Sequence, residues 1–124
     1  MPVPGLHDGG PGVTFVNRFT LRGSAEDFET AFAATSEFMR RQPGFRWHTL
    51  LVPAHGGGEG PGYVNIAVWR DEASFRAALA HPGFAAHAAA LRALSSSEPT
   101  LYRPRQSRVA PDLAAGSDPG EGSR

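Results

Sequence analysis

Residues 62–70, GYVNIAVWR, decide the fold of this 124-residue chain. Apolar side chains occupy both alternating rows of this segment, and no charge interrupts either row before Arg70. A strand that is apolar on both sides is buried on both sides, so it lies in the interior of a sheet. One of the two rows also carries Asn65 and Trp69. The segment therefore predicts a central strand with polar groups on one buried face.

Two further strands precede this segment. Residues 45–52 alternate as a strand, and the glycine-rich residues 53–61 join them to the central strand as a hairpin. Residues 13–22 alternate as well, and their more apolar row contains Asn17. The chain thus offers three strands, two of which have an asparagine among apolar neighbours.

Helices are predicted between and after these strands. One begins at the candidate N-cap Ser24 and ends at residues 42–44, QPG. Another begins after Asp71, is broken by residues 81–83, HPG, and resumes over residues 84–94. Both have an apolar stripe at helical spacing, so each helix is expected to pack one face on the sheet.

A short extended segment, residues 99–103, closes the patterned part of the chain. The order strand, helix, strand, strand, helix, strand is the βαββαβ pattern of the ferredoxin-like α+β fold. We therefore expect a four-stranded antiparallel sheet with helices on one face, formed by residues 13–105. Residues 1–12 and 106–124 are rich in glycine and proline, and they are expected to form a flexible N-terminal segment and a disordered C-terminal tail.

Composition excludes several classes of function. The twelve basic residues are all arginine and cysteine is absent, which rules out Schiff-base lysines, P-loop lysines, thiolate nucleophiles and cysteine-ligated metals. A formal net charge of zero gives no field that would attract nucleic acid or a membrane surface. No apolar stretch reaches the roughly 18 residues of a spanning helix, and no secretory signal is evident, so a cytoplasmic location is expected.

Three side chains are candidates for a functional site. In a ferredoxin-like sheet the first and third strands are neighbours, which brings Asn17 beside the strand that carries Asn65 and Trp69. Burial of a carboxamide costs free energy unless it finds hydrogen-bond partners, so two of them on an apolar face point to a pocket. The alternative is that the asparagines bond to backbone and the tryptophan fills the core. For the three residues together, the site is the favoured interpretation.

Histidine is the usual general base, and three histidines lie in the patterned region. His87 shares a stripe with Phe84 and Leu91, where a lone histidine is more often a core residue than a ligand. His48 is predicted to point away from the pocket, and His81 precedes a proline. The sequence therefore assigns no histidine as a base.

Four stretches carry a family resemblance: FVNRF at residues 15–19, FMRRQPGF at 38–45, YVNIAVW at 63–69 and HPGF at 81–84. With these motifs the chain resembles the cofactor-independent antibiotic biosynthesis monooxygenases, a family of small dimeric α+β barrel proteins. The resemblance implies a homodimer of ferredoxin-like subunits. It also implies an oxygenase that needs no flavin and no metal and uses O2 as cosubstrate.

Within that family, Asn17, Asn65 and Trp69 match the two asparagines and the tryptophan of the quinone-forming polyketide oxygenases. The resemblance therefore implies oxidation of an anthrone-type or naphthacenone polyketide to a quinone during antibiotic biosynthesis. The asparagines would donate hydrogen bonds to the developing oxyanion, and the indole N–H would orient the peroxy species. The substrate pocket is expected to include five further residues: Phe15, Phe32, Tyr63, Phe84 and His87.

Two alternatives remain open from the sequence. Heme-degrading relatives use an asparagine, a tryptophan and a helix histidine that ligates iron, a set that Asn17, Trp69 and either His81 or His87 would imitate. The second alternative is a non-catalytic dimer that binds a ligand or accompanies another enzyme.

The sheet face turned away from the helices is expected to be apolar. Its predicted members are Thr14, Val16, Leu50, Val52, Val64, Ile66 and Val68. An uncovered apolar face of this size requires a partner, and two such faces packed together would form a symmetric homodimer.

Overall fold

A computed structural model describes residues 12–55 and 62–111 of the chain. The sheet consists of four strands: β1 (Val13–Leu21), β2 (Phe45–Leu51), β3 (Gly62–Trp69) and β4 (Ser95–Tyr102). They pair antiparallel in the order β2-β3-β1-β4. The ferredoxin-like α+β fold with β1 and β3 at its centre is therefore confirmed.

Three helices follow the strands in the predicted places: α1 (Ala25–Met39), α2 (Glu72–Ala80) and α3 (Phe84–Leu94). Ser24 Oγ accepts a hydrogen bond from the Asp27 N–H at 3.0 Å, and Asp71 Oδ1 accepts one from the Ser74 N–H at 2.8 Å. Each cap satisfies a backbone donor that the first helical turn leaves unpaired. Both predicted N-caps are confirmed.

Gly44 turns the chain from α1 into β2. Its φ of +88° lies in the left-handed region, and a Cβ at this position would overlap the Ser74 side chain. The Gly44 carbonyl accepts a hydrogen bond of 2.7 Å from the Arg70 N–H, which fixes the start of β2 against the end of β3.

The last strand is longer than the sequence predicts. β4 begins at Ser95, directly after α3, rather than at Pro99, and it pairs with β1 from Leu21↔Ser95 to Thr14↔Tyr102. Its first residues, SSSEP, have low intrinsic strand propensity. Pairing with a central strand compensates for that, and the edge position tolerates the proline because its missing N–H faces no ladder partner.

A register shift in β2 reverses the expected orientation of every side chain from Trp47 to Leu51. Phe45 pairs with Trp69 and Trp47 with Val68, so one extra residue, Arg46, lies between them. Beyond this bulge His48 pairs with Ala67 and therefore faces the helices. The prediction that His48 points away from the pocket is thus wrong.

The same shift moves a second residue between the two faces. Leu50 pairs with Asn65 and packs on the helix side, in contact with the apolar cluster around Phe28, so its assignment to the open face is wrong as well. Trp47 and Leu51 take its place on the open face, because they pair with Val68 and Val64.

Two apolar clusters form the core between sheet and helices. One contains Val13, Ala67, Trp69, Phe75 and Ala78, and the other contains Phe19, Phe28, Phe32 and Tyr63. The register pairs Val13↔Trp69 and Phe19↔Tyr63 place them at opposite ends of the central strand pair. No helix in the described part of the chain is long and apolar enough to cross a membrane.

Candidate active site

A cavity of about 110 Å³ lies between the two core clusters. Six phenylalanine rings form a large part of its wall: Phe15, Phe19, Phe32, Phe45, Phe75 and Phe84. The polar groups of Asn17, Asn65 and His48 line the same cavity, together with Trp69. A mostly apolar enclosure with a few converging polar groups is the usual form of a small-molecule site.

The two asparagines stand side by side on the central strands. Asn17 and Asn65 are direct register partners on β1 and β3, and both belong to rows that face the helices. Antiparallel partners carry their Cβ atoms about 4.5–5.5 Å apart, so the two carboxamides share one region of the wall. The structure thus brings together the pair that the sequence placed on neighbouring strands.

The oxygen of the Asn65 carboxamide has a hydrogen-bond partner within the protein, and the oxygen of the Asn17 carboxamide has none among the described residues. His48 Nδ1 lies 3.1 Å from Asn65 Oδ1. An amide oxygen can only accept, so Nδ1 is the donor and His48 carries its proton there. Asn17 Oδ1, in contrast, is buried and has no hydrogen-bond partner among the described residues. A buried acceptor without a partner costs about 1–3 kcal/mol, which a bound molecule with a suitable donor would recover.

Trp69 closes one end of the cavity. Trp69 is 2% exposed, and its ring makes edge contacts with Phe45 and Phe75 at centroid distances of 5.1 and 5.8 Å. These rings hold the indole in one orientation, which is what an N–H donor in a reaction site requires.

Of the five additional pocket residues predicted, three line the cavity and two do not. Phe15, Phe32 and Phe84 are part of its wall. Tyr63 instead donates a hydrogen bond to Glu29 Oε2 outside the cavity, and this bond, together with burial, raises the pKa of Tyr63 to about 12. His87 packs on Phe38, with a ring-centroid distance of 5.5 Å.

Tyr63 lies on the predicted face of β3, but it lines the groove that contains Glu29 rather than this cavity. Its ring belongs to the cluster with Phe28, beyond the asparagine pair. The His87 prediction chose the wrong side of α3, because Phe84 and Leu91 reach the cavity and His87 does not. His81 packs on Phe38 and accepts a hydrogen bond of 2.8 Å from the Gly83 N–H.

This placement bears on the heme-degrading alternative. Neither His81 nor His87 lines the cavity that contains Asn17 and Trp69. The structure therefore does not bring a helix histidine together with these two residues, as the heme-degrading alternative would require. In residues 12–55 and 62–111, no three histidine or acidic side chains come together as candidate metal ligands.

The cavity continues into two open grooves. One, of about 560 Å³, shares Phe32, Ser36 and His48 with it. The other, of about 440 Å³, shares Asn17, Phe19, Phe84 and Leu91 with it. A molecule larger than the cavity would extend from the asparagine pair into one of these grooves.

Comparison with known proteins agrees with this geometry. Residues 13–90 match the family model described as "Antibiotic biosynthesis monooxygenase". The chain is 56% identical over 94 residues to deoxynogalonate monooxygenase of Streptomyces nogalater, an alignment that covers 76% of this chain and 77% of the relative.

Solved structures give the same result. SnoaB of Streptomyces nogalater, a cofactor-independent oxygenase, superposes with a TM-score of 0.72 at 54% identity over 79% of this chain and 97% of its own. A monooxygenase of Streptomyces coelicolor from the gene ActVA-Orf6, in complex with nanaomycin D, gives a TM-score of 0.64 at 27% identity over 81% and 93% of the two chains. The predictions of a monooxygenase and of cofactor independence are confirmed by these relatives, and the chain belongs to the antibiotic biosynthesis monooxygenase family.

Proposed function

We propose that this monooxygenase oxidises a polycyclic aromatic polyketide of the anthrone type to a quinone, with O2 as cosubstrate, in antibiotic biosynthesis. The observation that carries the proposal is the pair of neighbouring carboxamides, Asn17 and Asn65, inside a cavity walled by aromatic rings. The kinship with a deoxynogalonate monooxygenase and with an oxygenase that binds nanaomycin D supports this substrate class.

The proposed reaction converts a CH2 group and O2 into a carbonyl group and water. Loss of one proton to solvent leaves an enolate, which passes electrons to O2 and forms a carbon–oxygen bond. Protonation gives a hydroperoxide. Loss of the second C–H proton then breaks the O–O bond, and hydroxide leaves and takes up a proton. The substrate supplies all four electrons, so the protein has to stabilise charge and exclude water.

Each polar group has a distinct part in this proposal. The Asn65 amide nitrogen donates to the substrate oxygen on which the enolate charge develops, because Asn65 Oδ1 is already occupied by His48. Asn17 Oδ1, which has no partner among the described residues, accepts from a substrate hydroxyl, while its amide nitrogen is a second donor for the oxyanion. The Trp69 N–H orients the peroxy group.

His48 acts in this scheme as a positioning residue. A free asparagine side chain presents either its oxygen or its nitrogen to the cavity, and these have opposite effects on a negative charge. The Nδ1–H donor of His48 selects the orientation in which the nitrogen of Asn65 is available. His48, which the sequence analysis did not assign to the pocket, thus orients Asn65, which it did assign.

The size of the site suits a polycyclic molecule. A cavity of about 110 Å³ accommodates the reacting ring, and the remaining rings require one of the adjoining grooves. The Phe15 and Phe75 rings, 4.8 Å apart, and the other cavity aromatics offer flat apolar surfaces for such rings.

The assembly we propose is a homodimer formed by the open faces of two sheets. Register pairs on that face, Val16↔Ile66 and Thr14↔Val68, put mainly apolar side chains side by side, and Trp47 and Leu51 extend the surface. A second copy of this chain is the simplest partner for it. The cytoplasmic location and the boundaries of the domain at residues 13 and 105 stay predictions.

Oxygen consumption by the purified enzyme with dithranol, a dihydroxyanthrone, tests the activity. Conversion to the quinone should survive EDTA and exhaustive dialysis, with one oxygen atom of isotope-labelled O2 in the product. Asn17→Ala, Asn65→Ala and Trp69→Phe should each slow turnover by roughly tenfold to a thousandfold, the scale of one lost oxyanion donor. Activity that depends on added flavin or metal would refute the mechanism. Unchanged turnover in all three folded variants would refute the site.

A further inference from the structure

We infer that the thioether of Met39 is an oxygen-transfer site: it intercepts the substrate hydroperoxide in the cavity and becomes methionine sulfoxide, so that the enzyme inactivates itself during turnover. This inference rests on the proposed function, because the hydroperoxide is an intermediate of that reaction. It assigns a covalent modification to one side chain, which neither the fold nor the family relationship specifies.

The position of Met39 is the first observation. Met39 is the last residue of α1, and it follows Phe32 and Thr35 along the side of that helix that faces the sheet. All three line the cavity of about 110 Å³. Met39 also packs against the apolar cluster that contains Trp69. Because the Trp69 N–H orients the peroxy group in the proposed reaction, Met39 lies at the end of the cavity where the O–O bond breaks.

The chemistry of this side chain is the second observation. A thioether is polarizable and takes up one oxygen atom from a peroxide, which converts methionine to its sulfoxide. The chain contains no cysteine and one other methionine, Met1. In residues 12–55 and 62–111, Met39 therefore carries the sole sulfur atom, and that residue is part of the wall of the reaction cavity.

Oxygen transfer to sulfur competes with formation of the quinone. In the productive route, loss of the C–H proton breaks the O–O bond and water is formed. In the side reaction, a sulfur lone pair attacks the terminal peroxide oxygen, so the S–O bond forms as the O–O bond breaks. The proton on that oxygen passes to the departing alkoxide. The products are a hydroxyanthrone and methionine sulfoxide, with sulfur oxidised by two electrons and the hydroperoxide reduced by two.

Oxidation of Met39 is expected to lower activity. A sulfoxide is polar, whereas the cluster that Met39 contacts is apolar and includes the ring of Phe75. A polar oxygen among such side chains is unfavourable, because they offer it no hydrogen-bond donor. The added oxygen also takes up space in a cavity of about 110 Å³, which the reacting ring requires. Each oxidised subunit should therefore lose turnover.

Turnover with dithranol provides the first test. The mass of the protein should rise by that of one oxygen atom, peptide mapping should place this atom on Met39, and isotope-labelled O2 should label it. Catalase should not prevent the modification, because the oxidant is the bound hydroperoxide and not free hydrogen peroxide. Relative to its own initial rate, wild-type enzyme should lose activity as turnovers accumulate. Met39→Leu, a volume-conserving change without sulfur, should hold its initial rate.

A hydroperoxide that cannot become a ketone tests the site without the oxygenase reaction. Cumene hydroperoxide has no hydrogen on the carbon that carries the peroxide, so it cannot lose water to form a carbonyl group, but it can still transfer oxygen to sulfur. It should oxidise Met39 in the resting enzyme. The quinone expected from dithranol, 1,8-dihydroxyanthraquinone, should prevent this oxidation because it fills the cavity.

Leu101→Met supplies a matched control. Leu101 is partly buried and packs on the same cluster as Met39, but it does not line the cavity. In this variant, cumene hydroperoxide should oxidise Met39 at least about tenfold faster than the methionine introduced at position 101, because binding in the cavity places the peroxide beside Met39 alone. Peptide mapping at short times measures both rates in one sample.

The outcomes separate this site from the proposed function. Quinone formation that inactivates the enzyme and leaves Met39 unmodified would overturn the inference. Equal oxidation at positions 39 and 101, or oxidation of Met39 that the quinone does not prevent, would overturn it too. Because cumene hydroperoxide requires no reaction with O2, its selective transfer of oxygen to Met39 in an enzyme that fails to oxidise dithranol would support the site and contradict only the proposed reaction.

Discussion

The contact between His48 and Asn65 leads to a prediction about how the site is organised. If His48 serves only to hold Asn65, the required feature is a donor at the position of Nδ1, 3.1 Å from Asn65 Oδ1. Asparagine places its amide nitrogen the same number of bonds from Cα as Nδ1 of histidine. Glutamine places it one atom further out, at the position of Nε2. His48→Asn should therefore retain activity that His48→Gln and His48→Ala lose.

The size of the effect follows from the geometry. A neutral hydrogen bond of 3.1 Å between partly buried groups contributes about 1 kcal/mol, and a preference of about 1.4 kcal/mol corresponds to a tenfold population ratio. His48→Ala should then lower kcat about twofold, because the productive orientation of Asn65 falls from about 85% of the molecules to about half when the two orientations become equal in energy. The loss cannot exceed that of Asn65→Ala, for which about a hundredfold or more is expected.

The assay is a double-mutant cycle on dithranol oxidation, with kcat and KM measured by quinone absorbance and melting temperatures as controls. In an Asn65→Ala background, His48→Ala should cost nothing further, because the residue through which it acts is gone. KM should change less than kcat. An additive cycle would refute the idea that His48 acts by positioning Asn65. An active His48→Gln beside an inactive His48→Asn would also refute it and would assign the essential role to Nε2.

Two other predictions concern stability and assembly. Because the folded-state pKa of Tyr63 is raised to about 12, its bond to Glu29 contributes stability that is complete below the usual tyrosine pKa of about 10 and is lost as the pH rises to 12. Wild-type enzyme should lose melting temperature over that interval, and Tyr63→Phe should lose less; equal alkaline losses in the two proteins would contradict this account. Sedimentation at micromolar concentration should show a dimer, and Ile66→Arg, which places a charge on the open face, should give a folded monomer; a wild-type monomer would exclude the proposed interface.

Local signals in the sequence were sufficient for most of the fold. The two-sided apolar pattern of β3 predicted a central strand, and Ser24 and Asp71 predicted helix starts that the structure confirms. Such features depend on residues within a few positions of one another. The start of β4 does not: Ser95 and the following residues are extended because β1 offers a ladder to pair with. Composition alone cannot show that partner.

The site was predicted less completely, for a reason that lies in β2. Alternation assigns side chains to faces only while the register is regular, and one extra residue at Arg46 reverses every later assignment. A bulge that contains no glycine cannot be recognised from the sequence, so His48 and Leu50 were predicted on the wrong face. Asn17 and Asn65 were placed correctly because β1 and β3 pair without interruption over eight positions.

The location of the carboxamide pair explains how a small fold carries this chemistry. An apolar cluster at each end of the central strand pair holds the backbone, so the sheet tolerates polar groups in the interval between them. Asn17 retains a buried oxygen without a partner among the described residues, a cost that the two clusters offset. The strand ladder fixes the backbone of both asparagines before a substrate arrives, and the bond from His48 orients the Asn65 amide, so that donor needs no reorganisation when charge develops. Since the substrate supplies the electrons, this arrangement of two amides and an indole in a mainly apolar cavity is enough for the proposed reaction.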